Sequence, residues 1–195
     1  LIDGQFLKSD AQKVAQLLKD SGKNLKLIFL THAHPDHYAG LDVIAQAFPG
    51  VAVRATQEVA ADFNAHAPAA LPGLQTNFPG LIADKLATVT PLDGDEIELE
   101  GNTLKVVKLH EGESPTAAAI YAPRTGLLFG GDAVYNKAYL WLAECKTAEW
   151  SANIETLRAL GTLDKIYPGH GASPATAAVL DENQAYLRDV PPMLK

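Results

Sequence analysis

Two hydrophobic periodicities divide this chain. Up to about residue 92, apolar positions recur at helical spacing, interrupted by short apolar runs of strand length. From Asp93 the period shortens to two, and helical spacing returns near residue 148. In the first half, Asp10 to Lys19 places Val14, Leu17 and Leu18 at helical spacing, and Ser21-Gly22 ends the segment. Leu25 to Leu30 predicts a strand. Gly40 to Phe48 sets Leu41, Ile44, Ala45 and Phe48 on one helical face before Pro49-Gly50. Val51 to Ala55 predicts a strand. Thr56 to His66 predicts a helix, with Thr56 as N-cap and Glu58 in the first turn. Residues 67–80 hold Pro68, Pro72, Gly73, Pro79 and Gly80. They predict a long loop: a binding lid, or a connection packed down by Leu71, Leu74 and Phe78.

In the second half, Glu96 to Glu100 and Thr103 to Leu109 flank Gly101-Asn102, a hairpin signal. Ala117 to Ala122 and Leu127 to Phe129 flank a second turn, Pro123 to Gly126. Ala148 to Leu160 predicts a helix ended by Gly161, and Lys165 to Tyr167 a short strand. Ser173-Pro174 predicts the cap of a last helix running to about Asp189, before Pro191-Pro192. Each half reads as a sheet with covering helices, so the expected class is layered α/β. Residues 1–195 are expected to form one domain.

Composition narrows the classes of function. The chain has 195 residues, 47% hydrophobic and 20% charged, unlike a disordered segment. Sixteen Lys and Arg stand against 23 Asp and Glu, a formal charge of -7. That balance argues against non-specific nucleic-acid binding, which needs cationic contacts to phosphate. One Cys cannot make an internal disulfide. No apolar run reaches the ~18–20 residues of a membrane span. The expectation is a soluble protein with a small-molecule substrate. Cytoplasmic and periplasmic or secreted placement are both consistent with the composition. Leu1-Ile2-Asp3-Gly4 reads as a strand end entering a turn, without a basic, apolar leader.

The chemistry concentrates in Thr31-His-Ala-His-Pro-Asp-His-Tyr-Ala-Gly40. His32, His34, Asp36 and His37 occupy four of six positions between a predicted strand and a predicted helix. Neutral imidazole is the commonest side-chain ligand for zinc and similar ions. His32 and His34, two apart, project to the same side of an extended chain and can grip one ion. Pro35 bends the path, so Asp36 and His37 point elsewhere and can serve a second. Asp132, after an apolar strand and two Gly, and His170, between two Gly, would each be a turn residue in isolation. Beside the cluster they read as distant ligands at loop tips.

The His-x-His-x-Asp-His pattern resembles the metallo-β-lactamase superfamily of binuclear metallohydrolases. The likeness runs from Leu1-Ile-Asp-Gly4 to Pro168-Gly-His-Gly171. It implies a four-layer αββα sandwich, of which this chain would lack the first N-terminal strands. It implies His32 and His34 on the first metal, Asp36, His37 and His170 on the second, and Asp132 bridging both. Two zinc ions are implied, with iron or manganese as alternatives. So is a metal-bound hydroxide attacking a carbonyl or phosphoryl centre, with Asp36 as the catalytic residue that orients it.

The chain departs from the family at the third His of the first metal. Gly112, Ser114 and Pro115 match the family's segment there, which puts Glu113 where the His belongs. His110 lies three residues earlier and is the alternative ligand. A carboxylate can ligate zinc, and it weakens water activation while favouring harder ions. Tyr135, Tyr139, Trp141 and Trp150 are candidates for a substrate pocket or for core; Tyr38 is ambiguous in the same way, and Cys145 reads as a packed residue.

The expected function is a metal-dependent hydrolase of a small ester, thioester, lactone or amide. Asp132 stands where the first subclass of true β-lactamases carries Cys, which argues against a β-lactam specialist. Little chain follows His170, whereas glyoxalase II-like enzymes add a helical region. Two alternatives are a mononuclear iron persulfide-type dioxygenase, and a non-catalytic metal-binding module with a degenerate site. Specificity is expected in loops 67–80 and 133–150.

Overall fold

The computed structural model describes residues 1–190, in two compact units that meet in sequence between Asp93 and Gly94. That boundary coincides with the change of period at Asp93.

The first unit contains α1 (Lys8–Asp20), β1 (Leu27–Phe29), α2 (Pro35–Tyr38), α3 (Leu41–Ala47), β2 (Ala52–Ala55), α4 (Gln57–Asn77) and β3 (Val89–Pro91). Its three strands run parallel in the order β1-β2-β3. Ile2 makes an additional parallel bridge to Phe29 on the free side of β1. Ile28, Leu30, Val53 and Val89 form a core with Leu41 and Ile44 of α3 and Val59, Ala60 and Phe63 of α4. Thr56 caps α4 as expected, accepting from the Val59 N–H.

Residues 67–77 are not a loop, because α4 continues through them. Pro68 and Pro72 sit four apart on the exposed face, so the carbonyls they leave without helical donors face water. The opposite face carries buried Ala67 and packs Leu71 and Leu74 onto the core. Ala65, Ala67, Ala69 and Ala70 are strong helix formers, and with that packing they outweigh the two prolines. Chain irregularity begins only at Phe78. The short α2 and β3 had no sequence signal of their own. α2 is a single turn, and β3 is three residues paired, among the described residues, only to β2.

The second unit contains β4 (Glu96–Leu99), β5 (Asn102–Leu109), β6 (Ala117–Ala122), β7 (Leu127–Asn136), α5 (Thr147–Arg158), β8 (Lys165–Gly171) and α6 (Ala178–Asp189). The sheet order is β4-β5-β6-β7-β8, antiparallel except for the parallel β7·β8 pair. The β4–β5 turn is Glu100-Gly101, both at positive φ, with Leu99 paired to Asn102. It therefore falls one residue earlier than the Gly101-Asn102 reading. Helices α5 and α6 pack on each other and on β7, and bury Trp150, Ile154, Leu157 and Leu180 against Leu128, Val134 and Ile166.

Ser173-Pro174 does not cap the last helix. Ala175 is engaged in a two-bond bridge with Ile166, so α6 starts three residues later, at Ala178. α6 does end at Asp189; Pro191-Pro192 lie outside the described residues. Among those residues, no helix is long and apolar enough to cross a membrane.

Candidate metal centre

In the first unit, the chain leaves β1 at Phe29 and passes through Thr31 and buried His32 to His34, the extended residue that precedes α2. Pro35 occupies the first turn of α2, where its missing N–H costs nothing. The bend brings the three imidazoles together. The His32 ring centroid lies 4.8 Å from that of His34 and 4.2 Å from that of His37. Asp36 Oδ2 lies 3.5 Å from His37 Nε2.

Asp3 sets the protonation of two of these rings. Its Oδ1 accepts from the Thr31 N–H at 2.8 Å, and its Oδ2 accepts from the Thr31 hydroxyl at 2.9 Å. His37 Nδ1 lies 2.8 Å from the same Oδ2 and must donate to that carboxylate. The single Thr31 hydroxyl proton is committed to Asp3. His32 Nδ1, 3.0 Å from Thr31 Oγ1, therefore donates to it. With Nδ1 donating in this way, the neutral form of each ring carries its lone pair on Nε2, a form that binds metal. The sequence places Asp3 at a strand end, in the Leu1-Ile-Asp-Gly4 segment where the family likeness begins. Nothing in its neighbours signals this role, because its partners lie 28 and 34 residues away. Asp3 holds φ 56°, a conformation Asp tolerates better than most residues.

Tyr38 is a core residue. It is buried against Phe63, with ring centroids 5.2 Å apart. Burial, and secondarily the charge of Asp36, raises its phenol above the ordinary tyrosine range.

In the second unit, Asp132 lies on β7 where pairing with β8 is broken. Gly131 pairs with Pro168 and Tyr135 with His170, so three residues of β7 oppose Gly169 alone. The buried Asp132 carboxylate occupies the space above Gly169, where a Cβ would overlap its Oδ1. Asp132 Oδ2 lies 3.1 Å from His170 Nε2 and accepts from the Tyr135 hydroxyl at 2.9 Å. The Tyr135 and His170 ring centroids are 5.2 Å apart. β7 is seven residues longer than its apolar signature, because its outer part is held by these polar contacts rather than by alternating burial.

Glu113 lies in the loop between β5 and β6 and is 5% exposed, while His110 is exposed. Asn153 of α5 accepts from the His110 N–H and donates to its carbonyl, both at 2.9 Å. Of the candidate aromatics, Tyr135 and Trp150 are core, whereas Tyr139 and Trp141 are solvent-exposed on the β7–α5 connection. Cys145 is exposed, not packed.

The donor sets suit divalent metal. The first unit contributes three imidazoles with Asp36 beside them, and the second one imidazole, His170, beside the Asp132 carboxylate, the mix that zinc and related ions take.

A model of the metallo-beta-lactamase superfamily matches residues 4–170. A hydroxyacylglutathione hydrolase from Chromohalobacter salexigens is 28% identical over 162 residues, covering 83% of this chain and 54% of that protein. One from Photobacterium profundum is 25% identical over 182 residues, covering 92% and 62%. The chain thus spans less than two thirds of the length of these relatives. Among solved structures, a metallo-beta-lactamase from Pontibacter korlensis matches with a TM-score of 0.78 at 20% identity, over 97% of this chain and 81% of that one. The mono-zinc form of a metallo-beta-lactamase from Pseudomonas aeruginosa matches at 0.72 and 15% identity, over 98% and 80%. These likenesses establish the fold: mixed α/β, with sheets flanked by helices.

Proposed function

The chain belongs to the metallo-β-lactamase superfamily, and on that premise we propose that it is a metal-dependent hydrolase of a small ester, thioester, lactone or amide. The observation that carries this reading is the tautomer lock on His32 and His37. Thr31 and Asp3 accept hydrogen bonds from their Nδ1–H groups, which makes Nε2 the ligand position of each neutral ring.

In this reading both units form one family domain, and their ligands act together. His32, His34 and Glu113 would hold one ion, and Asp36, His37, Asp132 and His170 another; the family likeness would have Asp132 serve both. Zinc is the ion we propose. When bound, such ions supply Lewis acidity and lower the pKa of water toward neutrality. Asp36, half-buried beside His37 Nε2, orients the attacking water and carries its proton to the leaving group. Asp3 and Thr31 keep the imidazoles from drifting to the wrong tautomer during turnover. Glu113 in place of a third His adds negative charge to the first position and moderates its acidity.

Thioesters head the substrate classes, because the curated relatives are named hydroxyacylglutathione hydrolases. The test is metal analysis of the purified protein, followed by a panel of thioester, ester, lactone, amide and β-lactam substrates before and after chelation. We expect two equivalents of zinc and hydrolysis that chelation abolishes and zinc restores. Hydrolysis unaffected by removal of all metal would overturn the proposal, and so would iron with oxygen consumption.

A further inference from the structure

Two of the buried polar residues in the second unit make the same contact. Asn153 of α5 and Asn183 of α6 are 2% and 3% exposed. Asn153 Oδ1 accepts from the His110 N–H and its Nδ2 donates to the His110 carbonyl, each at 2.9 Å. Asn183 Oδ1 accepts from the Tyr135 N–H at 2.8 Å, and its Nδ2 donates to the Tyr135 carbonyl at 2.6 Å. Each amide thus meets both backbone groups of one residue, as a neighbouring strand would. In each case that residue is three positions from a carboxylate assigned to metal: His110 precedes Glu113, and Tyr135 follows Asp132.

Both contacts lie at irregular points of the sheet. His110 is the first residue past β5, and Tyr135 is where β7·β8 pairing resumes after the bulge. Two neighbouring contacts tighten the arrangement. Trp150 of α5 donates its indole N–H to the Ala133 carbonyl within the bulge at 2.9 Å. Gly112 passes so close to α5 that a Cβ would lie 3.1 Å from Asn153 Nδ2 and 3.2 Å from Trp150. The loop bearing Glu113 and the bulge bearing Asp132 are therefore both fastened to one helix pair, α5 and α6, through hydrogen bonds that are part-buried at Asn153 and buried at Asn183 and Trp150.

We propose that Asn153 and Asn183 are positioning residues of the metal centre: Asn153 holds the loop that presents Glu113, and Asn183 holds the bulge that presents Asp132. The inference deepens the hydrolase reading above and rests on its ligand set. It also accounts for Glu113 being buried and His110 exposed. The Asn153 contact fixes the His110 backbone against α5, leaving its imidazole in solvent.

The test uses the full chain. Asn153→Asp and Asn183→Asp keep shape but place a carboxylate oxygen against a carbonyl in place of the amide donor. Asn153→Ser and Asn183→Ser, smaller and neutral, carry the test if either acidic variant fails to fold. Ile154→Val, in the same core without a polar contact, serves as the stability control. Zinc affinity is measured by competition with a chromophoric chelator. The visible spectrum of Co²⁺-loaded protein and thermal unfolding of the metal-free protein accompany it. Removing a partner that orients a ligand weakens metal binding by about 10–100-fold. We expect a loss of at least about tenfold for the first zinc equivalent in the Asn153 variants and for both in the Asn183 variants, with a changed cobalt spectrum. Ile154→Val should unfold at lower temperature with unchanged zinc affinity. Asn variants that lose stability yet keep wild-type affinity and cobalt spectrum would overturn the inference. A wild-type chain that takes up neither zinc nor cobalt would instead overturn the hydrolase reading beneath it.

Discussion

Asp3 Oδ2 lies 2.8 Å from His37 Nδ1, and the same carboxylate receives both the N–H and the hydroxyl of Thr31. One acidic side chain near the start of the chain thus sets the tautomer of His37 directly and that of His32 through Thr31. Close packing brings it there. The Gly4 N–H donates to the His37 carbonyl at 2.7 Å, and a Cβ on Gly4 would collide with Leu41.

This geometry makes Asp3→Asn a sharp test. Asn keeps the acceptor for the Thr31 N–H, and like Asp it tolerates positive φ. Its amide would then stand where Oδ2 stood and donate to His37 Nδ1. That forces the proton onto His37 Nε2 and removes the lone pair a metal needs. Zinc affinity at the second position should fall by about 10–100-fold, with the fold retained. Chelator competition reads the affinity, and ¹⁵N chemical shifts of the imidazoles read the tautomer. Unchanged shifts with unchanged affinity would refute the tautomer lock.

Glu113 and His110 make opposite predictions. Glu113→Ala should cost the first zinc equivalent. His110→Ala should leave zinc stoichiometry unchanged, since that ring is in solvent. Glu113→His should restore binding with a nitrogen in place of oxygen and shift the cobalt spectrum accordingly. Loss of zinc in His110→Ala alone would show that the loop re-registers on binding.

The proposed ligands are more legible in the sequence than the residues that would support them. His32, His34, Asp36 and His37 are adjacent in the chain, so the pattern is its own signal. Asp132 and His170 could be read because apolar strands and glycines precede or flank them. Asp3, Thr31, Asn153 and Asn183 act across separations of up to 48 residues, on backbone groups or on ring nitrogens that carry no sequence mark. The fold shows the same division. Periodicity located the longer helices and both hairpins, because their apolar faces are built into local order. It missed β3, which exists only because β2 lies beside it, and it stopped α4 at His66. There two prolines spoke against helix locally, while Leu71 and Leu74 packed in its favour.

The α4 prolines carry a stability prediction. Pro68 and Pro72 lie on its exposed face, and neither serves the core. Proline costs about 3 kcal/mol relative to alanine inside a helix, partly offset by the ~0.4–1 kcal/mol it removes from unfolded-chain entropy. Existing accommodation of the helix lowers the recoverable part, so Pro68→Ala should stabilise the protein by about 1–2 kcal/mol. Denaturant titration of the two proteins side by side gives the difference. A destabilised Pro68→Ala would mean that the proline bend is needed to seat Leu71 and Leu74.

Gly169 supports Asp132 by having no side chain. Its φ is not in the left-handed region, so alanine would suit the backbone there, and any penalty must come from contact. A Cβ would overlap Asp132 Oδ1 and come within 2.8 Å of the Gly131 carbonyl carbon. The backbone cannot yield cheaply, because Gly131 is paired to Pro168 next door. The carboxylate must therefore swing away, breaking its contacts with Tyr135 and His170. Overpacking of this kind costs about 1–3 kcal/mol. We expect Gly169→Ala to lower the unfolding midpoint of the metal-free protein modestly and to reduce zinc binding far more, since Asp132 serves both proposed ions. Stoichiometry by metal analysis and stability by thermal unfolding separate the two effects. A Gly169→Ala protein that keeps its full zinc complement would show that Asp132 does not need the space above this glycine to reach metal.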